Sequence, residues 1–328
     1  MIKSRYYEFD LLKGIGIILV YLGHAFYFPN LYITGGIYYY IQSTIYSFHM
    51  PLFFFASGFF SNSLGKKIDY KKFYKNKFER LFIPYLFINF LDYIPRKVFP
   101  NLVNSDTEGV KELLFYGTKI SWFVYTLFIL FLIFPLLNEG ILKREKYFLF
   151  GLFLLFINIK GYGNNIEIFS INKVVSYGIY FYFGYKLREY YSSNLVNKVF
   201  NSKVFLLLIG IIIIKFAYKT FYLSIINTIF FGMIGTIFVL VILRKVDESC
   251  KFLKYIEFIG KNSLTFYLIE GFIAVVYRTL LIRIIPIDER AILLISFFLL
   301  KVITGYLVIK YIITKNSILS FLLGARKE

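Results

Sequence analysis

"GIGIILVYLGHAF" at residues 14–26 and "YSFHMPLFFFASGFF" at residues 46–60 decide how this chain reads. Both are apolar runs, and each carries one of the two histidines in the chain, His24 and His49. Working outward, the same texture recurs throughout. Hydrophobic residues make up 58% of the 328, aromatics 22% and charged residues only 17%. A soluble domain of this size carries more charge and fewer Phe and Tyr residues. The apolar residues fall into blocks of about 18 to 24, the length that crosses a hydrocarbon core.

The fold class read from this pattern is an all-α polytopic integral membrane protein, one helical domain over residues 1–328. Ten spans are expected, at 9–28, 38–60, 80–95, 121–138, 147–160, 173–187, 203–218, 222–243, 263–284 and 291–312. Three of them are short for a full crossing, which implies tilt, re-entrance or local thinning. Asp10 and Lys13 interrupt the start of the first apolar run and no small-residue cleavage site follows it. That run therefore reads as a retained anchor. Cys250, the single cysteine, has no partner for an intramolecular disulfide.

The formal net charge is +19. Nucleic acid would be one partner for such a charge, but topology accounts for it more simply. With the N-terminus inside, 25 Lys and Arg fall on cytoplasmic segments and 11 on outer ones, with Lys13 and Lys301 within spans. That asymmetry sets both termini in the cytoplasm. The densest basic run, "GKKIDYKKFYKNKFER" at 65–80, then reads as an orientation signal facing anionic lipid headgroups. The longest outer loop, from about Arg96 to Ile120, holds "NSDTEG" and either caps a cavity or is simply solvated.

Asp10, Lys13 and His24 share the first span. At 100° per residue, Lys13 and His24 are offset by only about 20°, and Asp10 lies about 40° to the other side. Ionisable groups inside a span face a bundle interior or a wet cavity. Gly14, Gly16 and Gly23 allow close helix approach on the way. His24 lies roughly 20 Å up the helix, and His49, descending from outside, reaches a similar depth. The plain reading of either histidine is a helix-to-helix hydrogen bond. Matching depth favours a shared site instead. Two histidines without cysteine, with acids at other depths, fall short of a zinc set, and no metal is expected. Away from water the uncharged imidazole is favoured, and it is a competent general base. Lys13 lies about 16 Å below His24, out of reach of the same reacting atom. It suits the far end of a long, phosphate-bearing donor.

Six stretches in this order, "FDLLKGIGIILVYLGH", "FHMPLFFFASGFF", "KFERLFIPY", "WFVYTLF", "YFYFGYKL" and "GKNSLTFYLIE", resemble the membrane acyltransferase 3 family, nearest its sugar O-acetylase branch. The resemblance spans residues 6 to 270. It implies ten core helices, acyl-CoA as donor and a hydroxyl of a cell-surface or secreted carbohydrate as acceptor. Its hallmark of a basic residue, ten residues and a histidine falls on Lys13 and His24. By that match His24 is the catalytic base and Lys13 a donor contact. His49 falls on the family's Phe-His-Met-Pro motif, followed by Pro51, Ser57 and Gly58. Lys77 and Arg80 match its basic-x-x-Arg motif, where donor phosphates would arrive, or are plain inside charge. Trp122 matches an aromatic that would stack on a sugar, or is an interfacial tryptophan. Asn262 opens the last motif. Many relatives close that motif with histidine, where this chain has Glu270.

The expected catalytic residues are thus His24 and His49. Lys13, Lys77 and Arg80 are expected to bind donor, with Asp10, Ser57, Trp122, Asn262 and Glu270 in support. No permanently bound cofactor is expected, only acetyl-CoA or another acyl-CoA as co-substrate. The expected partners are a carbohydrate acceptor and membrane lipids, with no nucleic acid; oligomeric state is not readable. The Lys-, Ile-, Tyr-, Phe- and Asn-rich composition points to an AT-rich bacterial genome, and a bacterial plasma membrane is the expected location. A carrier exporting a glycan or lipid-linked sugar fits the composition as well, although no two-half repeat supports it.

Overall fold

The computed structural model describes residues 6–27, 36–61, 68–98, 109–118, 120–139, 168–201, 203, 207, 209–211, 224–246, 250–285 and 290–326. Among these residues the chain is helical, with no strand. Backbone groups in hydrocarbon have no water to bind, so a membrane-spanning chain satisfies them within helices. The α-helices are α1 (Tyr7–Ala25), α2 (Gly36–Ser61), α3 (Tyr70–Lys77), α4 (Ile83–Val98), α5 (Trp122–Glu139) and α6 (Ile171–Tyr190). They continue with α7 (Asn194–Asn201), α8 (Ser224–Lys245), α9 (Lys251–Lys261), α10 (Ser263–Ile284), α11 (Arg290–Val308) and α12 (Ser317–Leu322).

Eight of the expected spans coincide with α1, α2, α4, α5, α6, α8, α10 and α11, with ends moved by a few residues. The span expected at 147–160 lies outside the described residues, and 203–218 lies largely outside them. By length and hydropathy alone, two described helical segments suffice to cross a membrane, Ser263–Leu281 and Ala291–Ile313. Two of the others fall short for visible reasons. Helix α1 carries Glu8, Asp10 and Lys13, and α4 is only 16 residues long.

The surface of α11 supports a lipid environment. Ile292, Ile295, Leu299, Ile303 and Leu307 recur every three or four residues and are exposed. The opposite side buries Leu293, Leu294, Phe297 and Lys301. A helix that shows its aliphatics and hides its lysine is arranged for an apolar solvent.

The described chain forms two compact units, residues 1–62 with 180–310, and residues 63–179 with 311–328. In the first, α1 is central and packs against α2, α8, α9, α10 and α11. Glycines set how near those neighbours come. A Cβ on Gly260 of α9 would stand 1.7 Å from the Asp10 carbonyl oxygen, and one on Gly14 2.2 Å from that of Ile256. The α1–α9 crossing is therefore backbone on backbone. Gly58 of α2 and Gly184 of α6 make a matching pair, with 1.8 Å to Phe181 O and 1.9 Å to Phe55 O. Helix α2 runs through Pro51 without a break.

In the second unit, a π-turn at Phe78–Phe82 joins α3 to α4 and packs on α5. Tyr85 and Tyr125 donate to the carbonyls of Leu113 and Leu114, each at 2.7 Å, and Asn89 donates to Ser121 at 2.6 Å. These bonds pin the 109–118 segment to α4 and α5. Between that segment and the end of α4 lies a cavity of about 260 Å³ lined in part by Asn89, Asp92, Tyr93, Arg96 and Thr118.

Candidate functional site

His24 stands one residue before the end of α1, where Gly23 lets the Tyr46 ring of α2 come close. Its Nδ1 is 2.9 Å from Oε2 of Glu270, midway along α10. The other carboxylate oxygen, Oε1, accepts from the ammonium of Lys301 on α11. Lys301 also donates to the Tyr21 carbonyl at 3.2 Å and lies over the Phe297 ring, 4.6 Å from its centroid. Tyr21 in turn donates its hydroxyl to the Phe266 carbonyl at 3.0 Å. Three helices thus contribute a row of cation, carboxylate and imidazole.

Exposure grades along this row. The Lys301 side chain is 0% exposed, that of Glu270 7% and that of His24 42%. The charged end is sealed and the imidazole end is open. With Nδ1 engaged by Glu270, Nε2 of His24 makes no hydrogen bond to a described residue. A carboxylate accepts only, so the pairing places a ring proton on Nδ1, and in the neutral ring the lone pair is then on Nε2.

His49 is 4% exposed, and its Nδ1 donates to the Ile45 carbonyl at 2.8 Å. That bond runs back along its own helix. Its ring lies edge-on to Tyr46, 4.8 Å between centroids, and Tyr46 is hydrogen-bonded to Tyr27. His49 also interacts electrostatically with His24, so the two imidazoles expected at one depth do share one neighbourhood.

The remaining expected residues fall elsewhere. Lys13 is paired with Asp10 at 2.7 Å, one turn apart on α1, and lies 5.3 Å from the centre of the Phe60 ring. Ser57 is half-buried and its hydroxyl bonds no described residue. Asn262 is buried between α9 and α10, and its amide donates to the Phe258 carbonyl at 3.2 Å. It closes the end of α9.

Lys77, Arg80 and Trp122 belong to the second unit. Lys77 ends α3 with its ammonium over the Phe131 ring at 3.6 Å and near Phe73 at 5.3 Å. Burial, and then the neighbouring charge of Arg80, push its amine down to about 8. Arg80 is exposed on the π-turn. Trp122 is half-buried beside Tyr177 at 5.4 Å, with the Lys173 ammonium 5.0 Å over its ring.

Sequence reading passed over Lys301 as a residue inside a span, although an ionisable group there signals a site by itself. Tyr46 and Tyr27 carried no signal in a chain with 30 tyrosines.

A sequence model of the acyltransferase domain matches residues 6–312, and the chain belongs to this membrane acyltransferase 3 family. Comparison with curated proteins and with solved structures found no match. Membership favours the enzyme over the carrier, and the match extends across the residues of both compact units.

Proposed function

We propose that this membrane acyltransferase moves an acetyl or other short acyl group from acyl-CoA to a hydroxyl of a cell-surface or secreted carbohydrate, at a bacterial plasma membrane. The observation that supports this reading is the His24–Glu270 pair, whose anchored Nδ1 leaves Nε2 on the open edge of the ring.

The acceptor hydroxyl gives its proton to Nε2 of His24 as its oxygen attacks the thioester carbonyl. A C–O bond forms and the C–S bond breaks. The proton on Nε2 then passes to the departing thiolate of CoA, and the imidazole returns to its starting state. Glu270 stabilises the imidazolium in between, the division of labour seen in acid–base–nucleophile triads. A positioned base of this kind contributes about 10² to 10⁴ in rate. His49, in contact with Tyr46, is the second catalytic residue of this reading and orders the acceptor hydroxyl.

The donor lies along α1. Lys13 is eleven residues before His24, about 16 Å of helix, which matches an extended carrier whose phosphates stop at Lys13 while its thioester reaches His24. Lys77 and Arg80 are further candidates for donor phosphate, Trp122 for stacking on a sugar ring.

The test is acetate incorporation into surface glycan in cells carrying His24→Ala. Loss of incorporation with normal membrane expression is the expected result. Unchanged incorporation ends the proposal.

A further inference from the structure

We propose that Lys301 is a positioning residue for this reaction, holding Glu270 as the fixed, charge-balanced partner of His24. The inference rests on the acyl-transfer reading above, and it adds a residue that no motif of the chain points to.

A lysine sealed in the middle of an apolar helix is costly unless its protons are satisfied. Lys301 has two acceptors, Glu270 Oε1 and the Tyr21 carbonyl, and two ring faces, Phe297 and Tyr21. The Tyr21 carbonyl and the two rings need no ammonium to be stable, but the buried Glu270 carboxylate does, and an apolar side chain at 301 would leave it unpaired on that side. What the ammonium adds is a second fixed point on the carboxylate. With Oε1 held by α11 and Oε2 on Nδ1, the carboxylate cannot turn about its axis, and the imidazole plane is set by two neighbouring helices.

The ammonium also decides what the ring feels. Tyr21 and Tyr46 lie around Glu270, which is the one carboxylate in this group, and Lys301 is the cation that meets it. Without Lys301 the carboxylate keeps a single anchor, Nδ1 of His24, and is free to turn. Lys301 therefore fixes Glu270, and Glu270 aims the base.

The chain has two histidines, so full-length protein labelled with ¹⁵N-imidazole histidine in lipid nanodiscs, in a His49→Gln background, reports on His24 alone. With Lys301 present, the spectrum shows one protonated and one bare ring nitrogen. With Lys301→Met, the carboxylate turns, the ring is no longer held in one tautomer, and the bare Nε2 signal falls by at least half. In the chain with His49 intact, Lys301→Met lowers kcat with labelled acetyl-CoA about a hundredfold, with the donor KM within about twofold. The pair Lys301→Met/Glu270→Gln removes both charges and lets the amide oxygen accept from Nδ1, restoring the bare Nε2 signal, which separates misfolding from loss of positioning. An unchanged bare-nitrogen signal and rate in Lys301→Met overturn the role of Lys301 and leave the acyl-transfer reading standing. Absence of acetyl-CoA turnover by the unsubstituted protein overturns the donor reading, and the ring spectrum then decides Lys301 by itself.

Discussion

Replacing Glu270 with glutamine keeps the volume and both hydrogen-bonding atoms, yet it should nearly abolish turnover, and the reason lies in Lys301. The ammonium has protons to give and none to accept. The new amide must therefore aim its oxygen at Lys301, where Oε1 now sits. Its NH2 group then faces Nδ1 of His24, where Oε2 accepts today at 2.9 Å. Two donors cannot share that contact, so the ring moves its proton to Nε2. The base becomes a donor in the wrong place. A forced tautomer of this type costs about 10⁴ in kcat in a serine-protease triad, and a loss of about 10³ to 10⁴ is expected here. The variant is also expected to lose about 3–5 kcal/mol of stability, because a sealed ammonium is left without its anion. Adding Lys301→Met frees the amide to turn its oxygen toward Nδ1, and should recover at least about tenfold of the lost rate. The assay is release of CoA and transfer of label from acetyl-CoA by full-length protein in lipid. A loss smaller than tenfold in Glu270→Gln, or a double variant no faster than the single one, refutes the tautomer argument.

Four further outcomes follow from other parts of the structure. Gly260→Ala should push α9 off α1 and cost about 1–3 kcal/mol or more, seen as a lower melting temperature and a smaller monodisperse peak. Gly271→Ala, with nothing within 4 Å of the new carbon, should be neutral or stabilising by about 0.5–1 kcal/mol. Lys77 has its amine lowered from 10.5 to about 8 by burial, so the unfolded chain holds that proton more tightly between those values. The cost of folding with a charged Lys77 is thus complete below pH 8 and fades toward pH 10.5. Lys77→Met should raise the melting temperature at pH 7, with the gain shrinking steadily by pH 10. A gain independent of pH would contradict this. Lys13→Ala should raise the donor KM about tenfold, the worth of one charged contact, and leave kcat nearly unchanged. A kcat loss without a KM change would place Lys13 outside the donor path.

Most of the helices were legible because lipid-facing helices need long apolar runs, and eight of the expected spans fall on them. The shorter elements were not. Helix α9, "KFLKYIEFIGK", is too brief and too charged to read as a span, yet Gly260 makes it the nearest neighbour of α1. Its signal was an amphipathic period burying Leu253, Ile256 and Ile259, which a search for crossings does not register. At the site, periodicity placed Lys13 and His24 on one helix but said nothing of their partners. His24 found its partner 246 residues away and Lys301 found Glu270 across another helix, and sequence spacing does not encode such distances. The face shared by Asp10 and Lys13 resolved into a local pair one turn apart. The Phe-His-Met-Pro histidine turned its Nδ1 to its own helix, a bond the motif does not announce.

The bond between Glu270 and Lys301 also bears on how the chain is made. Helices α10 and α11 follow one another closely in sequence, and Glu270 of the first meets Lys301 of the second. Delivered singly to the bilayer by the insertion machinery, each would enter with an uncompensated ion. Released as a hairpin, they enter with Glu270 and Lys301 already joined. Biosynthesis of this part of the molecule should then wait for residue 301 to leave the ribosome before α10 settles in the membrane.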